Sequence, residues 1–304
     1  MPRKIIIGYE STPQGEDALA LGGVFAELLA TSPTVATAVP GPSSQSGTDG
    51  LERALEAEGS KLFAIPRDRL RPLVVETRAI ADPSPASALY HLAEAEQASL
   101  VVVGSTHRGR VGRVLPGGVA ESLLHGAPCA VSVAPRGFAQ AKDRHLRRIA
   151  IAFDGSAEAW AALETGIGLA ERTHGSLGLL TVAEAPRNAV VSSMAVLSPA
   201  ELQDLERREK ERVQQLAHHR VPSGLPAERR LLTGDAGAAL AEAAADFDLI
   251  VAGSRGYGPL RRTILGSASA QLVREASCPV LVLPRGAGVD PLGVGSHSTL
   301  AAVP

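Results

Sequence analysis

Residues 253–267, GSRGYGPLRRTILGS, gather the groups of this chain best suited to holding an anion. Gly253, Gly256 and Gly258 let the backbone turn and approach a ligand closely, and Arg255, Arg261 and Arg262 bring positive charge. Gly266-Ser267 then opens a segment with helical periodicity. A strand, a glycine-rich loop and a helix start together make an anion site. The first N–H groups of a helix lack internal partners and lie at the positive end of its dipole. The Ser267 hydroxyl could cap that helix or donate to a phosphate. The stretch is not a GxxxxGK[ST] phosphate loop, since no Gly-Lys-Ser/Thr occurs in it. It is not a dinucleotide fingerprint either, because its glycines follow the fourth apolar run of their half and not the first. Glycine-rich loops after strands also serve as plain turns, so the loop by itself leaves both readings open.

Asp154, in IAFDGS, is the second candidate. Locally it suits an Asx turn or a helix cap. Functionally, its carboxylate could accept hydrogen bonds from a sugar or base held across a crevice from Gly253. Catalytic constellations are not found in the sequence. The histidines lack metal-ligand spacing, and there is neither a GxSxG elbow nor an SGGxDS phosphate loop. The pattern favours binding over turnover, with no catalytic residue and no metal ligand assigned.

The elements that must position these groups occur twice. KIIIG (4–8) answers RIAIA (148–152), Glu10 answers Asp154, Gly104-Ser105 answers Gly253-Ser254, and Cys129 answers Cys278. The repeat divides the chain into a first copy over 1–134, a charged linker over 135–146, a second copy over 147–285 and a tail over 286–304 expected to be disordered. In the second copy the apolar runs predict strands at 148–153, 177–182, 228–233, 249–252 and 280–283. Amphipathic segments predict helices at 157–173, 199–220, 236–247 and 267–277. Ser198 and Glu201 form a capping box for the second of these, with Leu202, Leu205, Val213 and Leu216 expected on its buried face. The first copy predicts strands near 4–8, 34–39, 73–79, 100–103 and 130–133. Continuous apolar strands alternating with helices mean an α/β fold: two tandem five-stranded, parallel, doubly wound sheets with helices on both faces. Ligands of such folds sit beyond the C-terminal strand ends, where the strand order reverses.

The 304 residues are enough for two domains, and a formal net charge of −2 gives no global argument for nucleic acid or an anionic membrane. Only 3% of residues are aromatic and they are not interleaved with the basic ones, so base stacking is unsupported. No apolar run is long enough to span a bilayer, the N-terminus lacks a secretory core, and Cys129 and Cys278 read as small buried residues opening a strand. The expectation is a cytoplasmic protein without a membrane or nucleic-acid partner.

Taken together, these residues resemble the universal stress protein family in its tandem, two-domain form, over nearly the whole chain apart from linker and tail. Gly253, Gly256, Gly266 and Ser267 meet the family's ATP motif G-x2-G-x9-G-[S/T], and IAFDGS, DLIVAGSRG and SCPVLVLP resemble its first, fourth and fifth strand segments. The resemblance implies a strand order of 3-2-1-4-5 in each half. It also implies an internal pseudo-dimer through the last strands, with Val131–Val133 against Val280–Leu283, and leaves room for a further homodimer and for protein partners. It implies ATP as the ligand of the second half. ATP would be held between Asp154 and the glycine loop, with adenine near Ala152 and Val182 and the triphosphate on Gly253, Gly256, Gly266 and Ser267, and Arg255 and Ala268 would complete the binding set. Mg2+ could accompany the triphosphate, although no side chain demands it. In the first half the corresponding nucleotide site would comprise Gly8, Glu10, Val39, Gly104, His107, Gly109, Gly117 and Gly118. Three departures stand there: Glu10 for the aspartate, His107 for the second glycine and Gly118 for the serine. The first half therefore either binds nucleotide through a variant loop or is a structural partner. For the whole chain the leading function is an ATP-binding stress-response sensor or regulator. A scaffold needing no nucleotide and a slow ATPase are the alternatives.

Overall fold

A computed structural model describes residues 4–39, 64–105, 118–184, 198–254, 266–284 and 291–294. The first half runs β1 (Ile5–Gly8), α1 (Pro13–Leu28), β2 (Pro33–Val39), α2 (Ala64–Arg69), β3 (Glu76–Ala81), α3 (Pro85–Ala95), β4 (Leu100–Gly104), α4 (Gly118–Leu124) and β5 (Ala130–Ala134). The second runs β6 (Arg148–Ala152), α5 (Ala157–Thr173), β7 (Ser176–Ala183), α6 (Pro199–His218), β8 (Ala227–Thr233), α7 (Ala236–Ala243), β9 (Leu249–Gly253), α8 (Ser267–Glu275) and β10 (Val280–Leu283).

Alternation on the pleat explains the layers. Ile5 and Ile7 point to one face, where they meet α1 residues such as Leu19 and Phe25, while Ile6 points to the other, among Leu89, Val101 and Val103. All three isoleucines are fully buried, as a strand covered by helices on both sides requires. Each half has the strand order 3-2-1-4-5. The two sheets are not separate, however: they join into one ten-stranded sheet, β3-β2-β1-β4-β5-β10-β9-β6-β7-β8. All neighbours are parallel except β5 and β10, whose antiparallel seam pairs Val131 with Val282 and Val133 with Val280. Fusing the two sheets satisfies the backbone edge that each fifth strand would otherwise expose.

The helix starts are set by local chemistry. Thr12 accepts from the Gly15 amide with Pro13 at the first helical position, and Ser198 and Glu201 close the expected capping box. On α6 the expected apolar face is rotated. Val213 packs on the core and Gln214 and Ala217 are buried, whereas Leu205 and Leu216 are about half exposed, at 58% and 49%. The cause is Gln214, whose side-chain amide donates to the carbonyls of Leu179 and Arg230 on adjacent strands and thereby fixes the rotation of the helix. The third strand begins later than expected, at Glu76, because its pairing with β2 starts at Thr34; Val74, outside the ladder, is exposed.

The linker is ordered. Asp17 of α1, itself buried, accepts from the backbone amides of Gly137 and Ala139, each at 2.8 Å, and Phe138 packs in the core. Burial pushes the Asp17 carboxyl above its ordinary pKa, an effect those two amides oppose. The tail needs a correction at residues 291–294. Leu292 is fully buried and Val294 nearly so, in the core layer that also holds α1 and α5 residues. Gly168 of α5 makes this possible, since a Cβ there would come within 2.4 Å of the Val294 carbonyl oxygen. The low complexity of the tail hid two apolar side chains that complete the core. Truncation after Pro284 is expected to lower stability by roughly 3 kcal/mol, two buried aliphatic side chains less the ordering they require. Urea denaturation checks this, and an unchanged midpoint would refute it.

Candidate functional site

In the second half, β6 and β9 are neighbours, so Asp154 and Gly253 leave the sheet side by side. Between them lies a cleft of about 230 Å³. Ala152, Leu180, Val182, Leu240 and Ala252 line it with apolar surface, and Asp154, Glu184, Glu206 and Lys210 bring charge to one side. Gly266, Ser267, Ala268 and Ser269 form the other.

Asp154 does perform its local role: one carboxylate oxygen accepts from the Ser156 amide at 2.9 Å, and Ser156 caps α5. Gly155 has φ +89°, and its missing Cβ leaves room for Val213 of α6, so α6 closes over this side. The opposite side is the start of α8. Gly266 is the cap residue and, lacking a side chain, makes no capping hydrogen bond to the first turn. Ser267 is therefore the first helical residue and not the cap. Its hydroxyl and the first-turn N–H groups lie at the cleft wall, at the positive end of the helix. Ser269 donates to the Gly253 carbonyl at 3.0 Å, tying the helix start to the root of the loop.

Ala152, Asp154, Val182, Gly253, Gly266, Ser267 and Ala268 all line this one cleft. Arg255 and Gly256 lie outside the described residues. Sequence reading missed Glu184, Glu206 and Lys210. Glu184 accepts from the Ala236 amide at the start of α7, and Glu206 accepts from the Glu184 amide, so strand end and two helices are linked. Glu184 could have been found, as it follows Val182 by two positions and shares its face. Glu206 and Lys210 belong to a helix whose placement only the fold supplies.

The first half has a cleft of about 430 Å³ at the matching place, lined by Gly8, Glu10, Gly104 and Gly118. On β2 it is Ala36, Thr37 and Ala38 that line this cleft, and not Val39. His107, Gly109 and Gly117 lie outside the described residues. Among the described residues no group of three His, Cys, Asp or Glu side chains is placed to hold a metal. Both cysteines are buried, and desolvation pushes their thiols up to about 12, which makes them poor nucleophiles. No helix among the described residues is long and apolar enough to cross a membrane.

The fold defines a tandem, doubly wound α/β protein with a cleft at the switch point of each half of its ten-stranded sheet. The family model for the universal stress protein family matches residues 1–135 and again 145–284, and the chain belongs to that family. A universal stress protein of Mycobacterium tuberculosis is 28% identical over 299 residues, covering 92% of this chain and 99% of its own length. A universal stress protein of Thermus aquaticus is 43% identical over 86 residues, which cover 26% of this chain and 57% of that protein. Among solved structures, a universal stress protein from Archaeoglobus fulgidus superposes with a TM-score of 0.62 at 18% identity, over 93% of this chain and 98% of its own. One from Pseudomonas aeruginosa does so with the same score at 16% identity, over 93% and 94%.

Proposed function

We propose that the second half binds ATP between Asp154 and the start of α8, and that the protein acts as a nucleotide-dependent regulator or sensor of a stress response. The polarised cleft carries this reading. Its apolar floor of Leu180, Val182, Leu240 and Ala252 suits a flat base. Carboxylates on one side accept from base or sugar donors, and an uncapped helix start with Ser267 faces the opposite end, where a triphosphate is stabilised. Gly256 and Arg255 belong to the same loop, and Mg2+ would accompany the phosphates. We place the protein in the cytoplasm, where its two unpaired cysteines stay reduced.

The direct test is to denature freshly purified protein and identify the released nucleotide by mass spectrometry, then titrate ATP, GTP and cAMP by calorimetry. ATP is expected to bind preferentially, and Asp154→Ala to weaken it by about 10- to 100-fold, the range of a lost charged hydrogen bond. Protein that carries no nucleotide and shows no thermal shift with ATP would instead be a scaffold. ADP accumulating slowly in the same incubations would mark an ATPase.

A further inference from the structure

Helix α6 packs on β7 and β8 with two leucines turned outward. Three large apolar side chains are exposed among the described residues, and two of them, Leu205 and Leu216, belong to this helix. They stand eleven residues apart, about three turns, and so lie on one line along its surface. The outward turn is built into the fold, because the hydrogen bonds from Gln214 to the Leu179 and Arg230 carbonyls hold the other side of the helix to the sheet.

On the same line, between the leucines, stand Glu209 and Arg212. The steps of four, three and four residues from 205 to 216 are those of a helix seam. Arg212 donates to Glu209 at 2.8 and 3.0 Å, and both side chains are more than half exposed.

This line is its own complement. Leu205 and Leu216 are equally far from the midpoint between residues 210 and 211, and so are Glu209 and Arg212. A second α6, laid antiparallel across a two-fold axis at that midpoint, sets Leu205 against the partner's Leu216 and Glu209 against the partner's Arg212. The axis then repeats both contacts in reverse. A parallel pair would set glutamate on glutamate and arginine on arginine, which repulsion opposes. A partner of one charge sign would match only half of the line.

We infer that α6 is a homodimer surface, through which two copies of the chain associate with their α6 helices antiparallel. Two Leu205–Leu216 contacts flank a centre made of Glu209 and Arg212 from each copy. The surface lies at the β8 end of the sheet, away from the β5–β10 seam, and the inference does not rest on ATP in either half. A single pair of helices falls at the small, reversible end of protein interfaces, so a Kd of about 10–100 μM is expected.

Sedimentation equilibrium of the full chain over about 1–500 μM is expected to show monomer and dimer exchanging around that Kd. Leu205→Glu and Leu216→Glu are each expected to weaken the dimer by at least about tenfold. Glu209→Arg and Arg212→Glu, each alone, set like charges opposite one another and are expected to weaken it by about the same factor. An equimolar mixture of those two variants is expected to restore association, as a heterodimer in which every opposed pair is again of opposite sign. The mixture keeps the test decisive even if a leucine variant folds poorly. A chain that stays monomeric over the whole range overturns the inference. So do leucine variants that pair as tightly as the wild type, or a mixture that remains monomeric.

Discussion

Ser267→Asp is expected to leave the protein at least as stable as the wild type while raising the Kd for ATP by about 100-fold or more. The two halves of this result come from one piece of geometry. Ser267 is the first helical residue of α8, no side chain caps that helix, and its first turn lines the cleft. A carboxylate there interacts favourably with the helix dipole, by about 0.3–1 kcal/mol at an exposed end. The same carboxylate opposes a triphosphate held at that end. Two unit charges about 4 Å apart near a protein surface repel by about 4 kcal/mol, ample for a hundredfold loss. Calorimetry with ATP, read beside a thermal melt, checks both arms. ATP affinity equal to that of the wild type would move the phosphates away from α8 and overturn the assigned orientation. Ser267→Ala tests the hydroxyl alone and is expected to have a smaller effect, because the backbone N–H groups remain.

Much of the fold could be read before the structure, and the reason is physical. Strands buried on both faces, such as IIIG and LIVAG, must be continuously apolar, so the strands of the central sheet declared themselves. Duplication then made every motif testable against its counterpart. The seam was expected from the family resemblance alone, and AVSVA and VLVL, buried along their whole length, form it. What stayed hidden was set by long-range partners. The rotation of α6 depends on Gln214 reaching two strand carbonyls, which no helical pattern encodes. The burial of Val294 depends on the missing side chain of Gly168, more than a hundred residues earlier in the chain. The site was only half legible. Asp154 and Ser267 followed from motif spacing, whereas the acidic wall of Glu184 and Glu206 came from α6 closing over the cleft. In the first half the sequence pointed to Val39, and only the register that pairs Gly8 with Ala36 placed Ala36 and Ala38 at the cleft instead.

The first glycine of the loop motif has a different standing from the serine. A Cβ at Gly253 would lie 2.5 Å from the Glu158 Cβ and 2.9 Å from its carbonyl carbon. A Cβ at Gly104 would lie 2.2 Å from the Gln14 carbonyl oxygen and 2.8 Å from its carbon. Glu158 and Gln14 each sit in the first turn of the helix that follows the first strand of its half. In both halves, then, that helix turn lies directly on the fourth-strand glycine, and backbone cannot move aside as a side-chain tip can. Gly253→Val and Gly104→Val are each expected to destabilise the protein by about 3 kcal/mol or more, the upper range for overpacking and beyond. The effect in the first half should match that in the second, whether or not either half holds ATP. Gly118→Ser should be nearly neutral, because nothing lies within 4 Å of a Cβ there. Urea denaturation of the three variants decides the matter. Wild-type midpoints for both valine variants would show that the close approach is not maintained, and the glycine would revert to a ligand contact. The expected pattern separates the motif by cause: its first glycine is retained by helix-on-strand packing, and Ser267, which the first half replaces without steric need, carries the information about ligand.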